Sequence, residues 1–253
     1  MHTLPKSLIL EVLAASFTLV KSHKPFINIG QSCPTVTPSS NFNADSYLGL
    51  WYNLANSPFI WMDSNNTCAW AHYNLVKGET DPNDDYLRVI NSEISAKTEK
   101  RTYAVGEAYV TSTPGQLSVA FFTMPKQNAD NYIVLDTDNI GYSYVWRCHD
   151  FEKNGVVGNM PVLWIMNRDF NYNSKYIGKQ IGNAMEILKK AGYDTKELEV
   201  NMGVTEQHGC GYGEQNLFGM KSQVESWSFD EVLQGSGDSV NISCSVNVGI
   251  GFD

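Results

Sequence analysis

Positive charge is scarce in this chain. Its 18 lysines and arginines stand against 27 aspartates and glutamates, a formal charge of -9 at pH 7, and a surface of that sign repels phosphate backbones, which argues against nucleic acid as a partner. Long apolar runs are missing as well. A membrane-spanning helix needs about 20 uninterrupted apolar residues, and the stretch from Leu8 to Val20 is broken by Glu11. That stretch follows Lys6 and precedes the small Ser22, so residues 1–22 read as a secretory signal peptide and the remainder as a secreted, extracellular protein. No C-x-x-C pair occurs among Cys33, Cys68, Cys148, Cys210 and Cys244, so neither a zinc site nor a thioredoxin-like dithiol is indicated. G-x-S-x-G and H-E-x-x-H are also absent, which removes the most recognisable hydrolase and metalloprotease signatures.

What the chain has in quantity is rings, with 13 Tyr, 11 Phe and 6 Trp in a composition that is 42% hydrophobic. That is enough to bury a core and still line a pocket. Between residues 47 and 168 the sequence divides into eight short runs rich in β-branched and aromatic residues, near 48–56, 68–76, 86–95, 101–111, 116–123, 131–136, 142–149 and 161–168. Turn signals separate them, among them Lys77-Gly78, Thr113-Pro114-Gly115 and Asp138-Asn139. Connections this short join neighbouring antiparallel strands. Eight strands in simple succession close into a barrel that leaves no free edge and encloses one small ligand. The expected fold is therefore all-β, an eight-stranded up-and-down antiparallel barrel. One helix follows, capped by Asn173 or Ser174 and ended by Gly192, with Ile177, Ile181, Ala184, Met185 and Leu188 on one face. That single apolar stripe calls for packing on the outside of the barrel.

Residues 211–253 differ in character. Gly and Ser punctuate a stretch around Val224, Trp227 and Leu233, and then Val240, Ile242, Cys244, Val246, Val248, Ile250 and Phe252 take every second place, the period of a strand with one buried face. An extra strand over 240–252, pairing with the barrel or with a second copy in a homo-oligomer, is the first reading; a dedicated functional element is the second. Sequons at Asn65 and Asn241 fit glycosylation of an exported surface.

Three motifs fall in order along the runs: Tyr47-Leu48-Gly49-Leu50-Trp51-Tyr52, Thr137-Asp138-Asn139, and Trp164-Ile165-Met166-Asn167-Arg168. Together they resemble the three signatures of the lipocalin family, most like its apolipoprotein D and insect bilin-binding branch. The resemblance covers residues 33–210 and leaves 211–253 outside. It implies that Gly49 permits a close backbone approach, that Trp51 plugs one end of the barrel with the Arg168 guanidinium stacked on its indole, and that Thr137 and Asp138 fix a turn. It also implies disulfides Cys33 to Cys148 and Cys68 to Cys210. Cys244 is then left over, either as a buried thiol or as a disulfide to another subunit.

With Trp51 inside, the resemblance implies that Ala71 and Tyr73, Asn91 and Glu93, Tyr132 and Val134, Arg147 and His149, and Val162 and Trp164 point inward, together with Val119 and Phe121. Trp164 is then either a pocket wall against the ligand or a core filler. A lining that mixes rings with Asn91, Glu93, Arg147 and His149 suits an elongated guest with polar ends. Bilins such as biliverdin, carotenoids, fatty acids, steroids and retinoids answer that description, and Arg147 or His149 could pair with a carboxylate. The same polar side chains could instead reach solvent at the barrel mouth. Phe59, Ile60, Trp61 and Met62 put four large apolar residues in an entrance loop, as a lid or as an element that dips into a lipid surface. The implied function is the carriage of a small hydrophobic ligand without a required cofactor or metal. Two rivals are a lipocalin-type enzyme acting on a lipid or carotenoid and a secreted protein-interaction module.

Overall fold

The computed structural model describes residues 27–58, 66–78, 85–96, 98–121 and 130–211. The eight runs become β2 (Gly49–Asn56), β3 (Thr67–Val76), β4 (Tyr86–Ile94), β5 (Arg101–Val110), β6 (Gln116–Phe121), β7 (Asp130–Thr137), β8 (Tyr142–Lys153) and β9 (Val156–Asn167). Each pairs antiparallel with the next, and β9 returns to β2, which closes the ring. Two short strands lie outside the eight, β1 (Asn28–Ile29) against β9 and β10 (Gly203–Val204) against β2. They were not anticipated, nor were the short helices α1 (Ala44–Tyr47) and α3 (Lys196–Asn201), because segments of two to six residues carry no readable period. Strands β8 and β9 also run further than their sequence runs, as one long hairpin around Asn154 and Gly155. Both turn residues have positive φ, 54° and 79°, the backbone of the tight turn that matches strand twist.

Register separates the faces. Trp51 lies opposite Ala71, and Ala71 opposite Asn91, on the inner face; Tyr52, Trp70, Ser92 and Tyr103 form a row on the outer one. The helix α2 (Ser174–Lys190) is capped by the Asn173 side chain, which accepts from the Tyr176 N–H, and it gives way to Gly192 at φ 83°. Its buried side, Ile177, Gln180, Ala184, Met185 and Leu188, lies over β2, β7 and β9. There it meets the outward side chains Leu54, Tyr144, Trp146, Leu163 and Ile165. Burying each large apolar side chain in this layer stabilises by roughly 1.5–3 kcal/mol, which holds a helix of mixed surface composition in place.

The disulfides pair as the resemblance implies, Cys33 with Cys148 and Cys68 with Cys210, across sequence separations of 115 and 142. Loops of that length stabilise by roughly 4–5 kcal/mol in the chain-entropy treatment. The first ties the amino-terminal segment to β8 and the second ties the segment after α3 to the start of β3. The signal peptide expected at 1–22, the loop residues Phe59, Ile60, Trp61 and Met62, the sequon residues Asn65 and Asn241, Cys244 and the strand expected over 240–252 all lie outside the described residues.

Candidate functional site

The barrel is closed at the end where β2 begins. The Trp51 indole donates to the Tyr47 carbonyl oxygen at 2.8 Å, and the Arg168 guanidinium sits 3.8 Å over the Trp51 ring. The same guanidinium donates to the carbonyls of Leu50 and Leu48 at 2.8 Å, Ser46 at 3.1 Å and Asn139 at 3.4 Å. Gly49 holds φ 94°, a conformation closed to most side chains. Asp138 fixes the adjoining turn, its carboxylate accepting from the N–H groups of Ile140, Gly141 and Tyr142, while the Thr137 hydroxyl donates to the Tyr142 carbonyl. The plug and turn are thus built as the motifs imply. They are structural, and the Arg168 guanidinium spends its donors on backbone carbonyls.

Above the plug the inner face carries Ala71, Tyr73, Leu87, Val89, Ala108, Leu117, Val119, Val134, Val145 and Met166 in one apolar cluster, with Phe121, Tyr132 and Trp164 packed against it. Tyr73, Tyr132, Val134 and Trp164 therefore share the interior, joined by Val162 two residues before Trp164 on β9 and opposite Arg147, but not equally. Val134 and Val162 have no accessible surface, so they fill the wall rather than face a hollow. Asn91, Phe121, Tyr132, Arg147 and Trp164 point inward and stay only half-buried, as does Glu93. In an otherwise close-packed interior, inward side chains that keep accessible surface are the place to look for a guest. They lie toward the end where β2 finishes and β3 starts.

Two of the polar residues stand differently from expectation. His149 is exposed and faces Met160 across the β8–β9 hairpin, so it does not belong to the cavity wall. The reason is local: the pairing of β8 with β7 ends at Trp146, and above that point inward-pointing no longer means enclosed. Glu93 sits at the rim, where its carboxylate accepts from the Asn66 amide at 2.5 Å; that amide's oxygen accepts in turn from the Ala96 N–H. Cys68, whose thiol would be needed for a cysteine-dependent reaction in the barrel, is consumed by its disulfide.

The deepest polar feature is one that sequence reasoning named only in pieces. The hydroxyls of Ser143, Tyr47, Tyr132 and Tyr73 form a chain, with Ser143 to Tyr47 at 2.8 Å, Tyr47 to Tyr132 at 3.3 Å and Tyr132 to Tyr73 at 2.8 Å. The four come from β8, α1, β7 and β3, directly above the plug. Four hydroxyl protons serve three links, so one proton is left for a partner outside the chain; the Met166 sulfur, 4.0 Å from Tyr132, is a weak one. Burial pushes all three phenols up, Tyr132 well above the ordinary tyrosine value, with the neighbouring phenols adding to the rise. The cluster is therefore neutral throughout the physiological range. Tyr47 falls within the first motif and Tyr132 alternates inward, but only the tertiary fold brings their oxygens together. Among the described residues no group of His, Cys, Asp and Glu is arranged to hold a metal ion.

The model of a lipocalin-like domain matches residues 42–202. This chain belongs to the lipocalin family. As a lipocalin it shares 27% identity over 202 residues with mouse apolipoprotein D, covering 79% of this chain and 94% of that one. With the Lazarillo protein of Schistocerca americana it shares 29% over 142 residues, 55% of this chain and 61% of Lazarillo, so the match spans less than two thirds of that relative. With the bilin-binding protein of Pieris brassicae it shares 28% over 138 residues, 54% and 67% of the two chains. Lobster apocrustacyanin A1 has the same fold, at TM-score 0.52 and 19% identity over 73% of this lipocalin and 92% of that chain. Lipocalins bind small hydrophobic ligands, and the Pieris brassicae relative is named for binding a bilin.

Proposed function

We propose that this lipocalin is a secreted, non-enzymatic carrier of an elongated, mostly apolar molecule, held with an uncharged oxygen-bearing end on the tyrosine hydroxyls and its other end at the barrel mouth. The observation that carries the reading is the hydroxyl chain of Tyr73, Tyr132, Tyr47 and Ser143 at the foot of a hollow walled by Trp164 and Phe121. A keto oxygen can accept the spare proton's hydrogen bond and a hydroxyl can accept or donate one, whereas a carboxylate would be desolvated there without a cation. The Arg168 guanidinium lies just below but is directed at backbone carbonyls. Half-buried Arg147, higher on β8, is the group suited to an acidic end. A bilin or a carotenoid is the pigment class this supports, in keeping with the name of the bilin-binding relative; a sterol or retinoid satisfies the same pattern without visible colour.

The deciding measurement is the absorbance spectrum and extract mass spectrum of protein purified from its native source, followed by tryptophan-quenching titration with matched ligands. A molecule ending in a hydroxyl or ketone should bind more tightly than its hydrocarbon analogue. Tyr132→Phe should remove that difference, about tenfold for one hydrogen bond, while leaving the hydrocarbon unaffected. Equal affinity for both ligands in the unmodified protein would reject the seat; an empty extract with no binding to either would reject carriage itself.

A further inference from the structure

The inner face above the plug holds a second polar loose end. On β2, Asn53 follows Trp51 on the inner side and lies opposite Met166 of β9, a member of the inner cluster. The register then slips, because Leu54 and Ala55 both join the outer layer as a β-bulge, and Asn56, opposite Trp164, is the next inward residue. The bulge brings the two amides together. Asn56 donates through Nδ2 to the Ser57 carbonyl at 2.9 Å, which fixes its orientation, and its Oδ1 accepts from Asn53 Nδ2 at 2.9 Å and from the Thr205 hydroxyl at 3.3 Å. Asn53 is thereby held with its nitrogen toward Asn56. It is 5% exposed, and its Oδ1 has no hydrogen-bond partner among the described residues. A buried amide oxygen in that condition is rare and unfavourable.

The tyrosine cluster has the opposite deficit. It holds one proton more than its three links use, and the acceptor beside it is the Met166 sulfur, 4.0 Å from the Tyr132 hydroxyl. Met166 therefore borders both groups, facing Asn53 across the β2–β9 pairing and Tyr132 through its sulfur. A proton without a good acceptor and an acceptor without a proton meet on one flexible thioether. A single O–H group supplies both, whereas a carbonyl oxygen accepts from Tyr132 and leaves Asn53 unmatched, and a hydrocarbon satisfies neither. We infer that Asn53 makes the floor of the barrel selective for an alcohol over a ketone or aldehyde, the guest's hydroxyl displacing the Met166 side chain, accepting from Tyr132 and donating to Asn53 Oδ1. The inference rests on the carrier reading and on the tyrosine seat, and it narrows the guest that seat takes. A trapped water could satisfy the same two groups, in which case Asn53 would read nothing in the guest.

The test uses the full chain and three probes of one shape, all-trans-retinol, all-trans-retinal and the parent hydrocarbon axerophthene, in tryptophan-quenching titrations. Retinal should bind more tightly than axerophthene, and retinol about tenfold more tightly than retinal, the worth of one further hydrogen bond. Asn53→Leu should bring the ratio of retinol to retinal close to one. The comparison in the unmodified protein stands even where that variant does not fold. Retinol and retinal bound equally, or a ratio that survives in Asn53→Leu, would overturn the inference, and the seat would remain where both still exceed axerophthene. Retinal and retinol no tighter than axerophthene would reject the seat as well, and no binding of any of the three would reject carriage together with the inference.

Discussion

Removing the Arg168 guanidinium should open the closed end of the barrel and cost more than any other single substitution outside the apolar core. It donates to four backbone carbonyls, those of Leu50, Leu48, Ser46 and Asn139, and stacks at 3.8 Å on Trp51. A hydrogen bond from a charged group is worth about 1.5–3 kcal/mol, and a cation over an indole about 0.5–2 kcal/mol. These do not add, and loss of one partner from a buried charged network generally costs about 3–5 kcal/mol. Arg168 is only half-buried, so water replaces part of what is lost, and about 2–4 kcal/mol is the expected cost of Arg168→Met. Arg168→Lys keeps the charge but offers a single compact head in place of a planar fork; it should recover about half. Urea unfolding reads this directly: the midpoint should fall by about 1 M or more with the slope unchanged, given slopes of about 1–3 kcal/mol per molar. A loss under about 0.5 kcal/mol for Arg168→Met, the ordinary range for a surface change, would refute the account of the plug.

Trp164→Ala should cost about 1–3 kcal/mol in ligand affinity and reduce quenching on binding, because its half-buried ring packs on the inner cluster where the proposed guest would lie; a folded variant with unchanged affinity would make Trp164 a filler. Alkaline pH should destabilise the protein. The phenols of Tyr47, Tyr73 and Tyr132 ionise later in the folded state than in the unfolded one, so their neutral form stabilises fully below about pH 10 and that contribution falls as pH rises toward the folded values, by up to about 1.4 kcal/mol per pH unit for each. A urea midpoint that stays flat between about pH 9 and pH 11 would contradict the burial of these groups. Replacing Cys68 and Cys210 together by Ser should lower stability by about 2–5 kcal/mol, read as a lower thermal midpoint; an unchanged midpoint would show that the segment after α3 is held without the bond.

The barrel was legible because its signals are local and repeated. Eight alternating runs and the turns between them set the strand count, and the positions of Trp51, Asp138 and Arg168 fixed the closed end through resemblance. The extension of β8 and β9 was missed although Asn154-Gly155 is a direct turn signal; the residues around it, Glu152, Lys153 and Val156, are exposed and break the alternation that marks a half-buried strand. His149 failed for the same reason. Alternation states which way a side chain points, and at the rim that no longer states whether it is enclosed. The hydroxyl chain was illegible for a different reason. Its oxygens come from residues up to 96 positions apart, and no periodicity encodes where side-chain ends meet.

The two ends of the cavity differ in a way that orders any occupant. At the floor the phenols are neutral, and the Arg168 cation beside them spends its donors on backbone carbonyls, among them those of Leu48 and Leu50. A charged group placed there would lose its hydration and find no opposite charge free to meet it, a cost of several kcal/mol. At the mouth, Glu93 and Arg147 are half-buried and His149 is exposed, so an acidic or otherwise charged end keeps its water. If the proposed seat is right, a ligand with one neutral and one charged end should enter neutral end first. A ligand charged at both ends should be disfavoured at the floor, however well its middle fits between Phe121 and Trp164. Polarity along the barrel axis, more than the width of the cavity, is what should separate molecules of similar length for this lipocalin.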